Sequence, residues 1–370
     1  MDPVKILKRA WHILWSYRAL WVFGLILAIA TAGSGGGGGG NNGTRYQFDS
    51  NETRQLPLPE DFRRGMEEFT REMERLFNEG PQHVDFPREQ LTALIWIVVA
   101  FTLVMIVLGI IVAIARYVSE TAVIRMVDEY ESRDTKMSVR EGFRIGWSRT
   151  SWRLFLINLI VNLPAILLTL ILLSAGIGIF FAVENGNLTF NAFSIITLIG
   201  LVFLLIFVVA ILSIFLRLLR HFFWRVSALE DLGVQESLSR GWALVRENWK
   251  SVGLMWLVMV GLGIAWAIAS IILFIITIPV VILTAAIALL VSAIPALLLV
   301  GIFNLFLSNV LAWVLGIVFV LPLFFTIAFS PWLLLGSWQT VFTSTVWTLT
   351  YREIKALPAV ETPAELPAAS

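Results

Sequence analysis

The sequence contains no cysteine, only three histidines and few charged residues. The lack of cysteine excludes disulfides, thiolate nucleophiles and cysteine-ligated metals. The histidines are His12, His83 and His221, which lie in three separate regions and match no histidine-based metal motif. Charged residues make up 14% of the chain, whereas ordinary soluble domains have about 25%. This deficit excludes a soluble globular enzyme and a disordered chain, and the net charge of +1 indicates no nucleic-acid partner.

Long apolar runs take the place of the missing charge. Hydrophobic residues make up 58% of the chain, the mean hydropathy is +0.83, and residues 251–350 contain no Asp, Glu, Lys, Arg or His. A helix crosses the hydrocarbon core of a bilayer with about 20 apolar residues. The predicted crossings are 19–32, 91–115, 154–183, 193–216, about 252–278 and 310–332. The sequence therefore predicts an all-α polytopic membrane protein whose helical membrane domain covers residues 19–356.

The charge-free stretch leaves the number of crossings open. Pro279 and Pro295 are expected to break helices, and the pieces between them and Asn309 are only half as long as a span. We predict six crossings, with residues 280–308 forming an apolar insert that is re-entrant or packed within the protein. Eight crossings are the alternative, because the length of the charge-free stretch alone would allow four.

Basic residues near the ends of the spans predict the orientation, since Lys and Arg concentrate in cytoplasmic loops. Residues 1–18 and the connections 116–153 and 217–250 are rich in Arg and Lys, whereas residues 33–90 are acidic on balance. Both termini are therefore predicted in the cytoplasm, and the composition suits a bacterial plasma (inner) membrane. Alternatively, Ala30-Thr31-Ala32 resembles a signal-peptide cleavage site, and cleavage there would leave the downstream orientation unchanged.

Three segments that precede outgoing spans resemble one another, namely 8–21, 140–155 and 239–254. Each has a small residue followed by an aromatic residue, and a further aromatic residue leads into the span. The pattern predicts a repeated unit, in which an amphipathic cytoplasmic helix precedes a hairpin of two spans, and residues 1–18 form the first such helix. Each incoming span is expected to continue as a helix into the cytoplasm. The tryptophans predicted at the membrane interface are Trp11, Trp15, Trp147, Trp152, Trp242 and Trp249. Coincidence among Trp- and Arg-rich flanks is the alternative to a repeat.

The segment between the first two spans, residues 33–90, is predicted to be an extracytoplasmic loop. It begins with the run Gly35–Gly40, which is typical of a flexible linker. An amphipathic helix is predicted over 59–79, where apolar residues recur at steps of three and four. We expect its apolar stripe to lie on the outer membrane surface or on the protein, and a protein partner is the alternative. The Pro- and Ala-rich tail, 357–370, is predicted to be a disordered cytoplasmic segment.

Polar side chains within the apolar runs are few. Asn158 and Asn162 lie one helical turn apart in the third span, and Asn304 and Asn309 precede the last span. Because no ionisable residue is predicted deep in a span, a pump or an ion-coupled transporter is disfavoured. The four asparagines are candidates for a polar groove between helices, and interhelical hydrogen bonding is the alternative role.

A resemblance to a known family rests on ESLSRGWALVRENWKSVGL (236–254), VSALEDLGV just upstream, and VWTLTYREI (346–354). These segments resemble the membrane-domain family named after glycerophosphoryl diester phosphodiesterase and related bacterial integral membrane proteins. In that family the phosphodiesterase chemistry belongs to a separate soluble domain fused to some members. Such a barrel needs roughly 250 residues, for which this chain has no room. The resemblance therefore implies a membrane module and no catalytic residues.

Together these observations predict a non-enzymatic integral membrane module. We expect an accessory or scaffold protein that acts on membrane lipids or partner proteins through its cytoplasmic interfacial helices. A passive permease, channel or lipid-handling transporter with a polar groove between its helices is the alternative. No catalytic residue, cofactor or metal ligand is predicted, and the sequence predicts no particular oligomeric state.

Overall fold

The computed structural model describes residues 1–32, 88–184 and 192–356, which are helical apart from short turns and contain no strand. In these ranges the helices are α1 (Pro3–Ser16), α2 (Ala19–Ala32), α3 (Arg88–Arg133), α4 (Val139–Gly146), α5 (Arg149–Glu184), α6 (Ala192–Leu229), α7 (Val234–Glu247), α8 (Trp249–Phe303), α9 (Asn309–Ala328) and α10 (Ser330–Ala356). The glycine run, the helix predicted over 59–79 and the tail 357–370 lie outside the described residues, so those interpretations stay predictions.

Several helices are long and apolar enough to cross a membrane. Within the described residues five qualify by length and composition, and the number is six if α1 and α2, which meet at 99°, are counted as one span. The five are Ile95–Arg133, Arg149–Ile179, Ile196–Leu229, Trp249–Phe303 and Leu311–Ala328. The predicted all-α, membrane-embedded architecture is therefore confirmed.

The apolar stretch before the last span differs from the prediction. We predicted breaks at Pro279 and Pro295, but α8 continues without interruption to Phe303, and only residues 304–308 form a turn. A proline removes one backbone hydrogen bond, whereas a break away from water would leave several backbone groups without partners. The prolines are therefore accommodated within a continuous helix, and residues 280–303 are not separate half-helices.

Helices α3 and α6 are longer than a bilayer is thick. Helix α3 has 46 residues and extends about 69 Å, more than twice the hydrocarbon core of about 30 Å. Residues 95–114 are mostly apolar and exposed, whereas the part from Tyr117 to Tyr130 is almost entirely buried. The burial of α6 rises in the same way from Leu219 onward. Both α3 and α6 thus continue beyond their apolar runs, as predicted, and their C-terminal parts are covered by protein.

The chain divides into two compact units, of which the first contains Met1–Gly38, Ile114–Ala265 and Gly336–Ser370. Its core joins the short helices to the C-terminal parts of α3, α6 and α10. Buried apolar residues in it include Ile13, Phe23, Met126, Leu154, Phe222 and Trp347. The core of the first unit therefore surrounds the helix ends that extend past the apolar runs.

Small residues let α2 cross α10 closely within the first unit. A Cβ atom added at Gly24 would lie 2.8 Å from the carbonyl oxygen of Ser337, which is closer than real side chains approach. The hydroxyl of Ser337 donates a hydrogen bond of 3.1 Å to the carbonyl of Trp21. Helix α2 is thereby fixed to α10 by close packing and a hydrogen bond to its backbone.

The second unit contains Gly39–Ala113 and Trp266–Leu335. Its small core consists of Val300, Phe303, Leu307 and Ala312. A Cβ atom added at Gly316 would lie 2.5 Å from a methyl group of Val300, so α9 also approaches α8 closely. Many other apolar side chains of the described part of this unit are exposed, as expected for helices surrounded by lipid.

Candidate membrane-interface site

The first short helix, α1, has different residues on its buried and exposed sides. The buried side consists of Ile6, Ala10, Ile13 and Leu14. The exposed side carries Val4, Lys5, Lys8, Trp11, His12 and Trp15. Residues three or four positions apart share a helix face, so basic and aromatic side chains point away from the core together. The carboxylate of Asp2 caps the helix by accepting hydrogen bonds from the backbone of Val4 and Lys5.

Helix α1 is held against the C-terminal part of α3. The Arg9 guanidinium forms an ion pair of 2.6 Å with Glu131. At the end of α1, the Tyr17 hydroxyl donates to the carbonyl of Met137 (3.0 Å) and accepts from its backbone N–H (2.6 Å). These contacts fix the direction in which the exposed face of α1 points.

Helix α4 packs against α3 through glycines. A Cβ atom added at Gly142 would lie 2.6 Å from the sulfur of Met126, and one at Gly146 would lie 2.5 Å from the carbonyl oxygen of Val118. The outer side of α4 and its C-terminal cap carries Arg140, Phe143, Arg144 and Trp147. The glycines therefore bring the helix close to α3 while its aromatic and basic residues stay exposed.

Helix α7 repeats this arrangement on α6. Ser237, Gly241 and Val245 are buried, and a Cβ atom at Gly241 would lie 2.6 Å from the ring of Phe223. Exposed residues on α7 and at the start of α8 include Ser239, Trp242, Arg246, Trp249 and Lys250. In α1, α4 and α7 alike, a buried small residue directly precedes an exposed aromatic residue.

The predicted interface tryptophans are all exposed to the surroundings of the protein. Trp11, Trp15, Trp147, Trp152, Trp242 and Trp249 have 44–71% of their surface accessible. Exposed indoles flanked by Arg and Lys are typical of side chains at the headgroup level of a bilayer.

Two further aromatic residues, which the sequence analysis missed, belong to the same surface. Trp338 lies 5.4 Å from Trp15 and 5.3 Å from Trp21 between ring centroids, and Phe342 lies 6.2 Å from Trp11. These residues of α10 complete an aromatic cluster with α1 and α2. Their signal in the sequence is a spacing of four residues, which places both on one face of a helix.

Beneath this surface, a buried polar network connects α3, α6 and α10. Arg225 is 1% exposed and donates to the carbonyl of Ser344 at 2.8 Å, and the Ser344 hydroxyl donates to Glu120 at 2.9 Å. Glu120 itself is only 8% exposed. The negative charge of Glu120 thus offsets the positive charge of the buried Arg225, and Ser344 bridges the two side chains.

The asparagines predicted in the third span enter a second network. The Asn158 amide donates to the Tyr117 hydroxyl (2.9 Å), and its oxygen accepts from Arg220 (2.8 Å) and Asn162 (3.1 Å). The structure therefore brings Asn158 and Asn162 together with partners from α3 and α6. The remaining two candidates, Asn304 and Asn309, are exposed residues of the second unit.

Glu230 joins α6 to α7 and α10 at the edge of the first unit. Its carboxylate accepts from Tyr351 at 2.6 Å and pairs with Lys355 at 2.9 Å and Arg240 at 2.7 Å. Burial alone would raise the pKa of Glu230, but the hydrogen bonds from Tyr351 and Lys355 and the charges of Lys355 and Arg240 outweigh it and lower the pKa below its ordinary value of 4.5. Burial and the bond to Glu230 raise the pKa of Tyr351.

This network predicts a loss of stability in acid. Because the folded-state pKa of Glu230 is depressed, its contribution is complete above the pKa of the unfolded chain and disappears as the pH falls through the folded value. At neutral pH, Glu230→Gln should lower the free energy of unfolding by about 2 kcal/mol. Thermal melts in detergent from pH 7 to pH 3 should show the difference between the two proteins shrinking as the pH falls. A difference that does not shrink with falling pH, or an equal loss in the exposed control Glu247→Gln, would contradict this role.

Within the described residues, no group of three or more His, Asp or Glu side chains is placed to hold a metal ion. The described part of the site offers basic, aromatic and amide groups.

A family of unknown function, DUF7544, matches residues 7–344 of the chain. The match covers most of the sequence, from α1 into α10. No curated protein and no solved structure matches the chain. The predicted resemblance to the membrane-domain family named after glycerophosphoryl diester phosphodiesterase is not addressed by this match and stays a prediction.

Proposed function

Since the chain belongs to the family of unknown function DUF7544, we propose a role for it from the geometry of the interface site. The protein is a non-enzymatic membrane module, an accessory or scaffold protein that acts on membrane lipids or partner proteins. Its working surface is formed by the exposed faces of α1, α4 and α7.

The observation that carries this proposal is the common orientation of side chains on the three short helices. In each, a small residue is buried, and the aromatic residue that follows is exposed beside Arg or Lys. An indole or phenyl ring gains free energy at the headgroup level, and nearby cations gain from anionic phosphates. This arrangement supports the location of α1, α4 and α7 at the membrane interface more than a location in water.

The proposed topology follows from the same arrangement. Each short helix precedes an outgoing span and packs on an incoming one, so the unit occurs three times and gives six crossings. With the short helices at the inner leaflet, both termini lie in the cytoplasm. The abundance of Arg and Lys near the span ends supports this orientation in a bacterial plasma membrane.

The permease alternative has less support. It requires Asn158 and Asn162 to line a path, yet the side-chain oxygen and amide of Asn158 are engaged by Tyr117, Asn162 and Arg220. Such bonds between neighbouring helices support a packing role for the pair.

The interfacial proposal can be tested in the full chain reconstituted in liposomes, because the lack of cysteine permits single-site spin labelling. A label at Ser239→Cys reports the side of α7 that carries Trp242, and a label at Glu247→Cys reports another side of the same helix. We expect the label at 239 to be shielded from a water-soluble relaxing agent and the label at 247 to be accessible. Trp242→Glu should raise accessibility at 239 to the level measured at 247, whereas Trp242→Phe should not. If position 239 is as accessible as 247 in the unsubstituted protein, the interfacial assignment is wrong.

A further inference from the structure

Arg220 lies at the centre of an unusual excess of hydrogen-bond donors. It is 7% exposed, its guanidinium sits 4.8 Å over the ring of Trp224, and one of its nitrogens donates to Asn158. Its Nε atom and the indole nitrogen of Trp224 are both buried without a hydrogen-bond partner. These two buried donors lack an acceptor, and each lost hydrogen bond of a buried donor is unfavourable.

The charges around Arg220 point to the same deficiency. Arg217 and Arg225 both lie within electrostatic range of Arg220, and Glu120 is the acid that acts on Arg220 and Arg225. Glu120 accepts its hydrogen bond from Ser344, whose carbonyl accepts from Arg225. The carboxylate is therefore linked to Arg225 more directly than to Arg220, whose hydrogen bond goes to the neutral Asn158.

The position of this cluster relative to the apolar runs is informative. Arg116 directly follows the apolar run of α3, and Arg217 directly follows that of α6. Both guanidinium groups are thus placed where hydrocarbon gives way to headgroups. Basic pockets between membrane helices on the cytoplasmic side are a known way to bind anionic lipid headgroups.

We propose that the cluster of Arg116, Arg217, Arg220 and Trp224 is a binding site for a phosphate group, supplied by an anionic phospholipid of the inner leaflet. A phosphate provides acceptor oxygens for the donors and a negative charge for the guanidinium groups, and arginine matches its geometry with paired hydrogen bonds. This inference rests on the proposed membrane orientation and names the lipid class that the module would bind.

The test measures lipid-induced thermal stabilisation of the purified full chain in a nonionic detergent. The ligands are dioctanoyl phosphatidylglycerol, inorganic phosphate and the phosphate-free dioctanoylglycerol. We expect phosphatidylglycerol to stabilise the protein and dioctanoylglycerol not to do so. Stabilisation by inorganic phosphate at comparable concentrations would identify the soluble ion as the ligand of the same site.

Variants locate the site. Arg220→Lys and Arg217→Gln should each weaken the apparent affinity for phosphatidylglycerol about tenfold, as expected for the loss of a charge-assisted hydrogen bond. The control is Arg149→Gln, which removes an exposed charge at the start of α5, outside the cluster. Because Arg217 is exposed, its variant decides the outcome should Arg220→Lys fail to fold. Wild-type affinity in Arg217→Gln, or equal stabilisation by dioctanoylglycerol, overturns the proposal. The assay contains no bilayer, so its result is independent of the labelling experiment on α7.

Discussion

Replacing Glu120 with glutamine is expected to destabilise the protein by about 3–5 kcal/mol, the usual effect of removing one partner from a buried charge pair. Glu120 is 8% exposed and receives a hydrogen bond from Ser344, whose carbonyl accepts from Arg225. Without the carboxylate, Arg225 keeps its charge in a place where water cannot reach it. Thermal unfolding in detergent, followed by circular dichroism, measures the effect.

A double variant with Arg225 tests whether Glu120 and Arg225 act as a pair. If Glu120 acts as the counter-charge of Arg225, the double variant Glu120→Gln with Arg225→Met should lose less stability than the sum of the two single variants. An exposed ion pair serves as the control: Glu131→Gln breaks the contact with Arg9 and should cost at most about 1 kcal/mol. Equal melting shifts for Glu120→Gln and Glu131→Gln, or strict additivity in the double variant, would reject the pairing.

The sequence predicts the membrane helices well because the length of an apolar run is a local property. The crossing predicted over 193–216, for example, lies within α6, whose residues Ile196–Leu229 are long and apolar enough to cross a membrane. The continuation of α3 and α6 past Arg116 and Arg217 was also predicted, from residues that keep a helical pattern after the apolar run ends. The apolar runs and the helical continuations depend only on residues within a few helical turns along the chain.

The proline interpretation was wrong because it took Pro279 and Pro295 as the ends of helices. Both lie inside the continuous helix α8, since a break away from water would leave several backbone groups without partners. The sequence pattern alone did not distinguish a proline that ends a helix from one that lies within it.

The buried network could not be predicted because it depends on contacts between distant segments. Ser344 reaches Glu120 across 224 positions of sequence, and Arg225 reaches Ser344 across 119. One local hint was present: Arg220 and Arg225 flank the aromatic residues 222–224. In this part of α6, arginine and aromatic side chains are spread around the whole circumference of the helix. Such a pattern indicates a helix that is buried on all sides.

Replacing Gly146 with alanine should have the opposite effect from the same change at Gly253. A Cβ atom at Gly146 would lie 2.5 Å from the carbonyl oxygen of Val118 and 3.1 Å from the Cβ of Ala122. The first neighbour is backbone in the middle of a helix, so α4 has to move away from α3. Such overpacking typically costs about 1–3 kcal/mol. At Gly253 the added atom meets nothing within 4 Å, and alanine favours a helix over glycine by about 0.8–1.0 kcal/mol.

The comparison of the two alanines separates close packing from helix propensity, because propensity alone would make both variants more stable. Gly241→Ala tests a third environment, in which the nearest atoms belong to the ring of Phe223. A ring can shift more readily than a helix backbone, so its destabilisation should fall between those at 146 and 253. In one detergent, the melting temperature should therefore be highest for Gly253→Ala, intermediate for Gly241→Ala and lowest for Gly146→Ala. A stabilised Gly146→Ala would mean that α4 does not rest on the α3 backbone, and the outward orientation of Phe143 and Trp147 would lose its structural basis.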